Sequence, residues 1–395
     1  MIFSKFFIFR NYICSVDVVV AGVGVAGAFT LKALSKSLNV VGIDKRETLG
    51  YPVECGEIIP TKKEIKRLLP DLDDYSIFDI PKKYESNRTK EIHFVLPNGK
   101  TYEVDFSMHV VRRDEMIQDV AKSSKHKLLL KTRVVDCDAG LSKLKTTSGT
   151  LDFKVLVACD GANSKIAKKM GVWRYELSPA KQYLMKNVDC DEDVIYMYIG
   201  KKIAAGGYAW IIPKGNGLAN VGIGFRKEYA EKGDNIHKAL DRFVKQYEYS
   251  RSFLKDAEIV EKIGAVVPVD LPLDKTVYNN VLFVGDAASM IISHVGAGIP
   301  TSMVAGTIAG EVINEFFEGK TSLEDYENRW RDRMFDVMKN AHFIKRLWDE
   351  ISLEEDKLVK YFKLINNRDM GLILRSKVPL KLKLAKFFLP LLKIL

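Results

Sequence analysis

The chain has 395 residues, is 47% hydrophobic and carries a net charge of +10. That length exceeds what one hydrophobic core usually serves, so more than one packed unit is expected, with room to bury a cofactor. The positive balance suits an acidic ligand or an anionic membrane surface, whereas the absence of any nucleic-acid module, or of a basic stretch interleaved with aromatics in the body of the chain, argues against nucleic acid as a partner.

Cys14, Cys55, Cys137, Cys159 and Cys190 are odd in number and never spaced as C-x-x-C. A disulfide framework, a zinc site and an iron–sulfur cluster are therefore not expected, no metal site is foreseen, and a reducing cytoplasm is the simplest home. Met1 to Ile13 is apolar but interrupted by Lys5 and Arg10 and has no small-residue cleavage site, so it reads as an extension or surface anchor rather than a signal segment. No stretch reaches the roughly twenty apolar residues that span a bilayer. Any membrane contact is expected to be peripheral, on the inner face of the cell membrane.

In chain order, Val16 to Ala21 is a β-branched run that enters Gly22-Val23-Gly24-Val25-Ala26-Gly27, and Ala28 to Leu38 places Leu31, Leu34 and Leu38 at helical spacing. Val40, Val41 and Ile43 form a second buried strand ending on Asp44, which completes a βαβ unit. In such a loop Gly22 permits the tight turn, Gly24 lets backbone approach a pyrophosphate and Gly27 lets helix and strand pack closely. Asp44 is placed to accept hydrogen bonds from ribose hydroxyls. A dinucleotide site follows.

Pro97-Asn98-Gly99 between Ile92–Leu96 and Lys100–Val104 predicts a hairpin. Arg113 to Ala121 reads as a helix, Lys127 to Thr147 as strands, and Val155 to Ala158 as a parallel strand running into Asp160-Gly161. Gln182 to Phe225 suggests a second, antiparallel sheet closed by a helix near Asn235 to Leu254. Val281 to Val284 leads into Gly285-Asp286-Ala287-Ala288 and a helix from about Gly298 to Phe317, and Ser322 to Leu395 reads as helices. The expected architecture is α/β: a discontinuous Rossmann-like dinucleotide domain (residues 1–80, 106–175 and 275–320), a substrate domain (81–105 and 176–274) and a C-terminal helical region (321–395).

Val155 to Ser164 resembles the strand and Asp-Gly turn of the group that includes the aromatic hydroxylases, and Val281 to Ala288 resembles that group's second FAD contact. The resemblance implies FAD on a glutathione-reductase-like fold. Within that group the chain resembles the geranylgeranyl reductase family, flavoenzymes that saturate isoprenoid double bonds. Tyr51-Pro52-Val53-Glu54-Cys55-Gly56-Glu57 is similar to its Pro-x-x-Cys-Gly-Glu segment, and Tyr208-Ala209-Trp210-Ile211-Ile212-Pro213 with Gly222-Ile223-Gly224 to its Tyr-x-Trp-x-Phe-Pro…Gly-x-Gly signature. The likeness covers about Val16 to Phe317. Val25, Ile58, Ala205, Ile212 and Ser293 depart from the family pattern.

The resemblance implies Ala26, Asp44, Cys55, Gly56, Arg113, Val134, Asp286, Gly298 and Ile299 as FAD contacts, with Arg113 preferred to Arg112 from the register of the following helix. Lys45, Asp160 and Gly161 join the cofactor-binding set. Tyr208, Trp210 and His294 are expected beside the substrate cavity, His294 as a second proton-donor candidate. Cys55 is the catalytic candidate, placing a proton or shaping the flavin face. The expected reaction is flavin-dependent reduction of C=C bonds in a prenyl lipid or a prenylated quinone, by a monomer, with NADPH or reduced ferredoxin as electron donor. An FAD monooxygenase, an electron-transfer flavoprotein docking on the membrane and a non-catalytic prenyl-lipid carrier are the alternatives. Arg375 to Leu395, with Arg375, Lys377, Lys381, Lys383, Lys386 and Lys393 and no acidic side chain, has the composition of an interfacial helix attracted to anionic lipid.

Overall fold

The computed structural model describes residues 14–382; the Met1–Ile13 segment and the chain beyond residue 382 lie outside them. Its strands run in chain order as β1 (Cys14–Ala21), β2 (Val40–Ile43), β3 (Ile58–Pro60), β4 (Glu85–Val95), β5 (Thr101–Val111), β6 (Lys127–Leu129), β7 (Val134–Asp138), β8 (Lys143–Thr146), β9 (Gly149–Ala158), β10 (Leu177–Lys186), β11 (Val194–Tyr198), β12 (Ala209–Gly215), β13 (Leu218–Gly224), β14 (Glu258–Pro268), β15 (Val277–Tyr278) and β16 (Val281–Phe283).

The first sheet has the order β15-β16-β9-β1-β2-β6, with β7 and β8 attached beside β9. Its centre is parallel: Val18 to Ala21 pair with Val40 to Ile43 on one side and with Val155 to Ala158 on the other, and Val281 to Phe283 continue alongside β9. These strands are continuous apolar runs because helices cover both faces. The covering elements include the helices Val25–Ala33 and Ile299–Phe317. Gly306 and Gly310 let the two approach: a Cβ on Gly306 would lie 2.4 Å from the Ala26 carbonyl oxygen, and one on Gly310 2.5 Å from Ala33 Cβ. The helix expected over Ala28–Leu38 thus begins earlier, at Val25, and ends at Ala33, where Leu34 turns to extended backbone.

The second sheet runs β14-β10-β13-β12-β11-β4-β5-β3 and is antiparallel except for β11 beside β4. Strand β3, from the segment between the first βαβ unit and the hairpin, joins its edge by pairing with β5, and β5 extends to Val111. The hairpin around Asn98 forms as expected, with Leu96 N–H donating to the Lys100 carbonyl at 2.9 Å. Two helices, Ile236–Lys245 and Glu248–Leu254, cover one face of this sheet instead of a single one. The other face packs in part on the C-terminal helices, where Leu358, Phe362, Met370 and Leu374 meet Phe94, Tyr102 and Val104.

Among the described residues no helix is long and apolar enough to cross a membrane. The start of the basic C-terminal segment is packed on the body. Arg375 pairs with the fully buried carboxylate of Glu64 at 2.7 Å and stacks over Phe106, and Lys381 pairs with Asp369 at 3.1 Å. These two cations are therefore engaged within the protein; Lys377 is exposed, and Lys383, Lys386 and Lys393 lie outside the described residues.

Candidate active site

The three phosphate-loop and Asp-turn motifs end on adjacent strands of the first sheet, so their loops meet at one edge. Gly22 has φ +93°, and a Cβ there would sit 2.3 Å from the Cys159 carbonyl oxygen; one on Gly27 would sit 1.9 Å from the Gly22 carbonyl oxygen. Neither position accepts a side chain. Gly24 is different: a Cβ would meet nothing within 4 Å, because Gly24 opens onto the large cavity. Gly285, at φ +66°, brings the Gly285-Asp286 turn onto the same loop, since a Cβ there would be 2.9 Å from Ala26 Cβ.

Asp44 is buried, and its carboxylate accepts the Val23 N–H (2.8 Å) and the Arg46 N–H (2.8 Å). It locks the glycine loop to the end of β2 while its remaining lone pairs are available to a ligand. Lys45 and Val134 line the same end of the cavity. Asp160 and Gly161 line it too, but the Asp160 carboxylate is turned into the protein. It accepts Ser164 Oγ (2.6 Å) and the N–H groups of Lys165 (2.7 Å) and Ile166 (3.2 Å), capping the short helix Lys165–Lys169. Burial pushes its carboxyl up, and these hydrogen bonds oppose the shift. Its direct contribution is therefore the turn it holds.

At the other end, Arg113, Cys55 and Asp286 share one electrostatic environment. Arg113 lines the cavity and Arg112 does not; Arg112 is bonded outward to Glu115 and the Lys83 carbonyl. Arg113 Nε is buried without a partner. Burial raises the Asp286 carboxyl, opposed by the Arg113 charge, and burial likewise raises the Cys55 thiol, again with Arg113 opposing. Cys55 Sγ accepts the Glu57 N–H at 3.2 Å. A thiol raised in this way stays protonated near neutral pH, which makes it a proton holder and not a nucleophile. Cys55, Cys137, Cys159 and Cys190 are all free.

Four polar residues that the sequence reading did not select hold the Cys55 turn. Glu57, with φ +62° and nearly no exposure, receives Lys214 Nζ, Asn220 Nδ2 (3.2 Å) and the Arg113 N–H (3.3 Å). Gln182 Nε2 donates to the Cys55 carbonyl (2.8 Å), and Asn220 Nδ2 to the Gly56 carbonyl (3.3 Å). Gln182 and Asn220 are both buried polar side chains, Asn220 inside the otherwise apolar β13 and Gln182 beside the apolar stretch Tyr183–Met185 of β10. That conflict with the strand pattern is the signal that would have found them.

Tyr208 and Trp210 both border the cavity, with ring centroids 5.7 Å apart. Tyr208 donates its hydroxyl to the Val295 carbonyl (2.6 Å), and Trp210 donates its indole N–H to Gln182 Oε1 (3.3 Å). Gly222 makes room for the indole, since a Cβ there would lie 2.5 Å from Trp210 Cζ2. His294 also borders the cavity, but burial lowers it to about 4, with the Ile373 backbone only weakly opposing. It is a neutral ring at physiological pH, which counts against the proton-donor role considered from sequence. Ser293, one of the departures from the family pattern, has a buried and unpartnered hydroxyl; Ile212, another, packs 3.0 Å from where a Gly56 Cβ would be.

These residues surround one cavity of about 1260 Å³. The part of its lining that the first sheet supplies includes Asp44, Gly24 and Asp286, with Gly298 and Ile299 where the nineteen-residue helix Ile299–Phe317 presents its N-terminus. The part that the second sheet supplies includes the apolar side chains of Ile92, Phe106, Met108, Met197, Trp210 and Ile212, which belong to one cluster. The first part fits FAD: Gly24 leaves open space beside the loop, Arg113 Nε lacks a partner, and the helix start offers positive potential.

Comparison with known proteins agrees with this geometry. Residues 176–267 match the geranylgeranyl reductase catalytic domain. The chain is 32% identical over 340 residues to a digeranylgeranylglycerophospholipid reductase of Methanosarcina acetivorans, covering 80% of each. It is 30% identical over 358 residues to digeranylgeranylglycerophospholipid reductase 2 of Methanopyrus kandleri, covering 86% of this chain and 88% of that one. Among solved structures, a geranylgeranyl bacteriochlorophyll reductase-like protein from Thermoplasma acidophilum superposes with a TM-score of 0.79 at 23% identity, over 92% of this chain and 96% of that one. A probable FAD-dependent monooxygenase from Pseudomonas aeruginosa shares the fold at a TM-score of 0.65 and 15% identity, over 88% of this chain and all (100%) of that one. The chain belongs to the geranylgeranyl reductase family and is an FAD-dependent oxidoreductase.

Proposed function

We propose that this enzyme reduces C=C bonds in the geranylgeranyl chains of a membrane glycerophospholipid. The observation that carries this reading is the apolar lining that the second sheet gives the cavity, where Met108, Met197, Trp210 and Ile212 belong to one cluster and Ile212 lies beside Gly56, next to Cys55. An unbranched polar substrate would leave that wall desolvated without reward, whereas a prenyl chain gains roughly 0.8 kcal/mol for each buried CH₂. The relatives in the methanogens, named for digeranylgeranylglycerophospholipid, supply the lipid class.

In this reading FAD, when bound and reduced, supplies the hydride equivalent, and the protein supplies position and a proton. Asp44, Gly22, Gly24, Ala26, Gly27 and Arg113 would hold the dinucleotide, with Lys45, Val134, Asp160 and Gly161 beside its adenosine end and Asp286, Gly298 and Ile299 beside its ring. Cys55 and Gly56 would border the place where the reduced ring meets the substrate, and the protonated Cys55 thiol would give its proton to the second carbon of the double bond, regaining one from solvent afterwards. Tyr208 and Trp210 orient the chain. The unit built on the first sheet is the cofactor domain and the second sheet the substrate domain. Lipid is collected at the inner membrane face with help from the exposed Lys377 and from Lys383, Lys386 and Lys393.

The test is anaerobic incubation of dithionite-reduced enzyme with prenyl lipids and prenylated quinones, read by mass spectrometry. Two-hydrogen gains on the geranylgeranyl lipid are expected. Gains on quinones alone would move the substrate assignment, and no gain together with substrate-dependent oxygen consumption would favour a monooxygenase.

A further inference from the structure

The far end of the substrate side of the cavity carries two cations that prenyl-chain reduction itself does not use. Arg226 follows β13, and Lys345 lies on the helix Asp336–Ile351. Their side chains are only 4% and 7% exposed, yet both line the cavity, next to Trp348. Their counter-charges are Glu176 and Asp349. Arg226 Nη1 reaches Glu176 Oε1 at 3.1 Å and Nη2 reaches Asp349; Lys345 Nζ reaches Glu176 Oε2 at 2.5 Å and Asp349 Oδ2 at 3.0 Å. Neither carboxylate is part of the cavity wall.

Arg226 also gives Nε and Nη2 to the Gly206 carbonyl at 2.8 and 2.6 Å. A guanidinium has five N–H groups and an ammonium three. Arg226 therefore keeps one Nη1 hydrogen and Lys345 one Nζ hydrogen beyond the bonds above. Of the two carboxylates Glu176 is the one open to solvent, at 38% of its side chain against 16% for Asp349. It can turn out into solvent as an incoming anion takes its place on the two cations, whereas Asp349 stays.

We propose that Arg226 and Lys345 form the seat for the phosphate of the lipid headgroup, with Glu176 as the displaceable counter-ion that occupies the cations when no lipid is bound. This rests on the prenyl-lipid reading of the cavity and assigns its polar end. Phosphate is the chemistry that matches two converging cations, since its oxygens accept charge-assisted hydrogen bonds from both. The spacing fits as well. Gln182, which holds the Cys55 carbonyl, pairs with Gly222 of β13, four residues before Arg226 and so about 13 Å away along the chain at roughly 3.3 Å per residue. A head anchored at Arg226 thus leaves its chain to run along the apolar wall toward Cys55. A prenylated quinone, with a neutral ring as head, has no use for the pair.

The experiment compares geranylgeranyl monophosphate with geranylgeraniol as probes on the FAD-loaded enzyme, measuring both kcat/KM for anaerobic reduction and binding by quenching of tryptophan fluorescence. Wild type should prefer the phosphate at least tenfold. Lys345→Met should lower the phosphate-to-alcohol ratio at least tenfold, and Glu176→Gln, which removes the competing charge at a solvent-open position, should raise it severalfold. A purely structural cluster would shift both variants in the same direction and both probes equally, which would overturn the proposal. If Lys345→Met does not fold, Glu176→Gln alone decides, because an unchanged or lowered ratio sinks the idea. Should wild type bind and reduce geranylgeraniol with no preference for phosphate, the headgroup seat fails while the prenyl reading stands; should it reduce neither probe and prefer neither in binding, both fail.

Discussion

The side-chain amide of Gln182 donates to the main-chain carbonyl of Cys55 across 2.8 Å, and the same amide's oxygen receives the indole N–H of Trp210 at 3.3 Å. One buried residue of the substrate sheet thereby sets both the turn carrying the catalytic candidate and an aromatic wall of the cavity. Replacing Gln182 by Leu leaves the Cys55 carbonyl unpaired, at a cost of about 1–3 kcal/mol. We expect kcat to fall at least tenfold while FAD content stays near stoichiometric, as checked by flavin absorbance and steady-state kinetics. An unchanged kcat would show that the Cys55 turn is held without this bond.

The glycines of the phosphate loop should separate by experiment. Gly24→Ala has space for its methyl, so the melting temperature of the apoprotein should shift little, yet the methyl enters the room beside the loop and FAD affinity should drop about tenfold or more. Gly27→Ala meets a carbonyl oxygen at 1.9 Å and should destabilise the fold by roughly 1–3 kcal/mol. Titration of FAD into the apoprotein and thermal melts read the two effects apart. Equal loss of stability in both variants would contradict the distinction.

Cys55 is expected to act as a protonated thiol. Because burial raises it above the ordinary thiol value, kcat should stay level through pH 8 to 9, where an exposed thiol near 8.5 would ionise. Cys55→Ala should retain FAD and lose at least tenfold in kcat, with Cys55→Ser recovering part of the loss. Full turnover in the alanine variant would remove the residue from the chemistry.

His294 makes an acid-side prediction. Its folded value is about 4 against an ordinary 6.5, so between those values the unfolded chain binds the extra proton. Stability from this group is therefore complete above pH 6.5 and is lost as the pH falls toward 4, by up to about 3 kcal/mol. Asp160 and Asp286, both raised by burial, work in the opposite direction over the acid range. The informative quantity is the difference between wild type and His294→Gln in chemical denaturation at pH 7 and pH 4.5. The variant should lose less stability on acidification, and parallel losses would refute the assignment.

The cofactor half of the molecule was legible in the sequence because its signals are local. Gly22 to Gly27, Asp44, Asp160-Gly161 and Gly285-Asp286 each follow a short apolar strand directly, and parallel pairing of β1, β9 and β16 then carries their loops to one edge. Composition and periodicity suffice when the chemistry sits at the end of the element that positions it. The Cys55 turn was visible too, but not what holds it.

What only the tertiary structure decided is the pairing of charged and polar groups far apart in the chain. Gln182, Lys214 and Asn220 reach the Cys55–Glu57 turn across the second sheet, and no spacing rule links them to it. Arg375 reads as a surface cation in a segment without acids, yet it closes on the buried carboxylate of Glu64 from the opposite end of the sequence. His294 is a proton-donor candidate by residue type alone, and it is burial in the fold that lowers its basicity. Sequence determined which groups are present and which strand end they follow. Packing determined which of them are desolvated and which partner each one meets, and desolvation is what sets their protonation and their use.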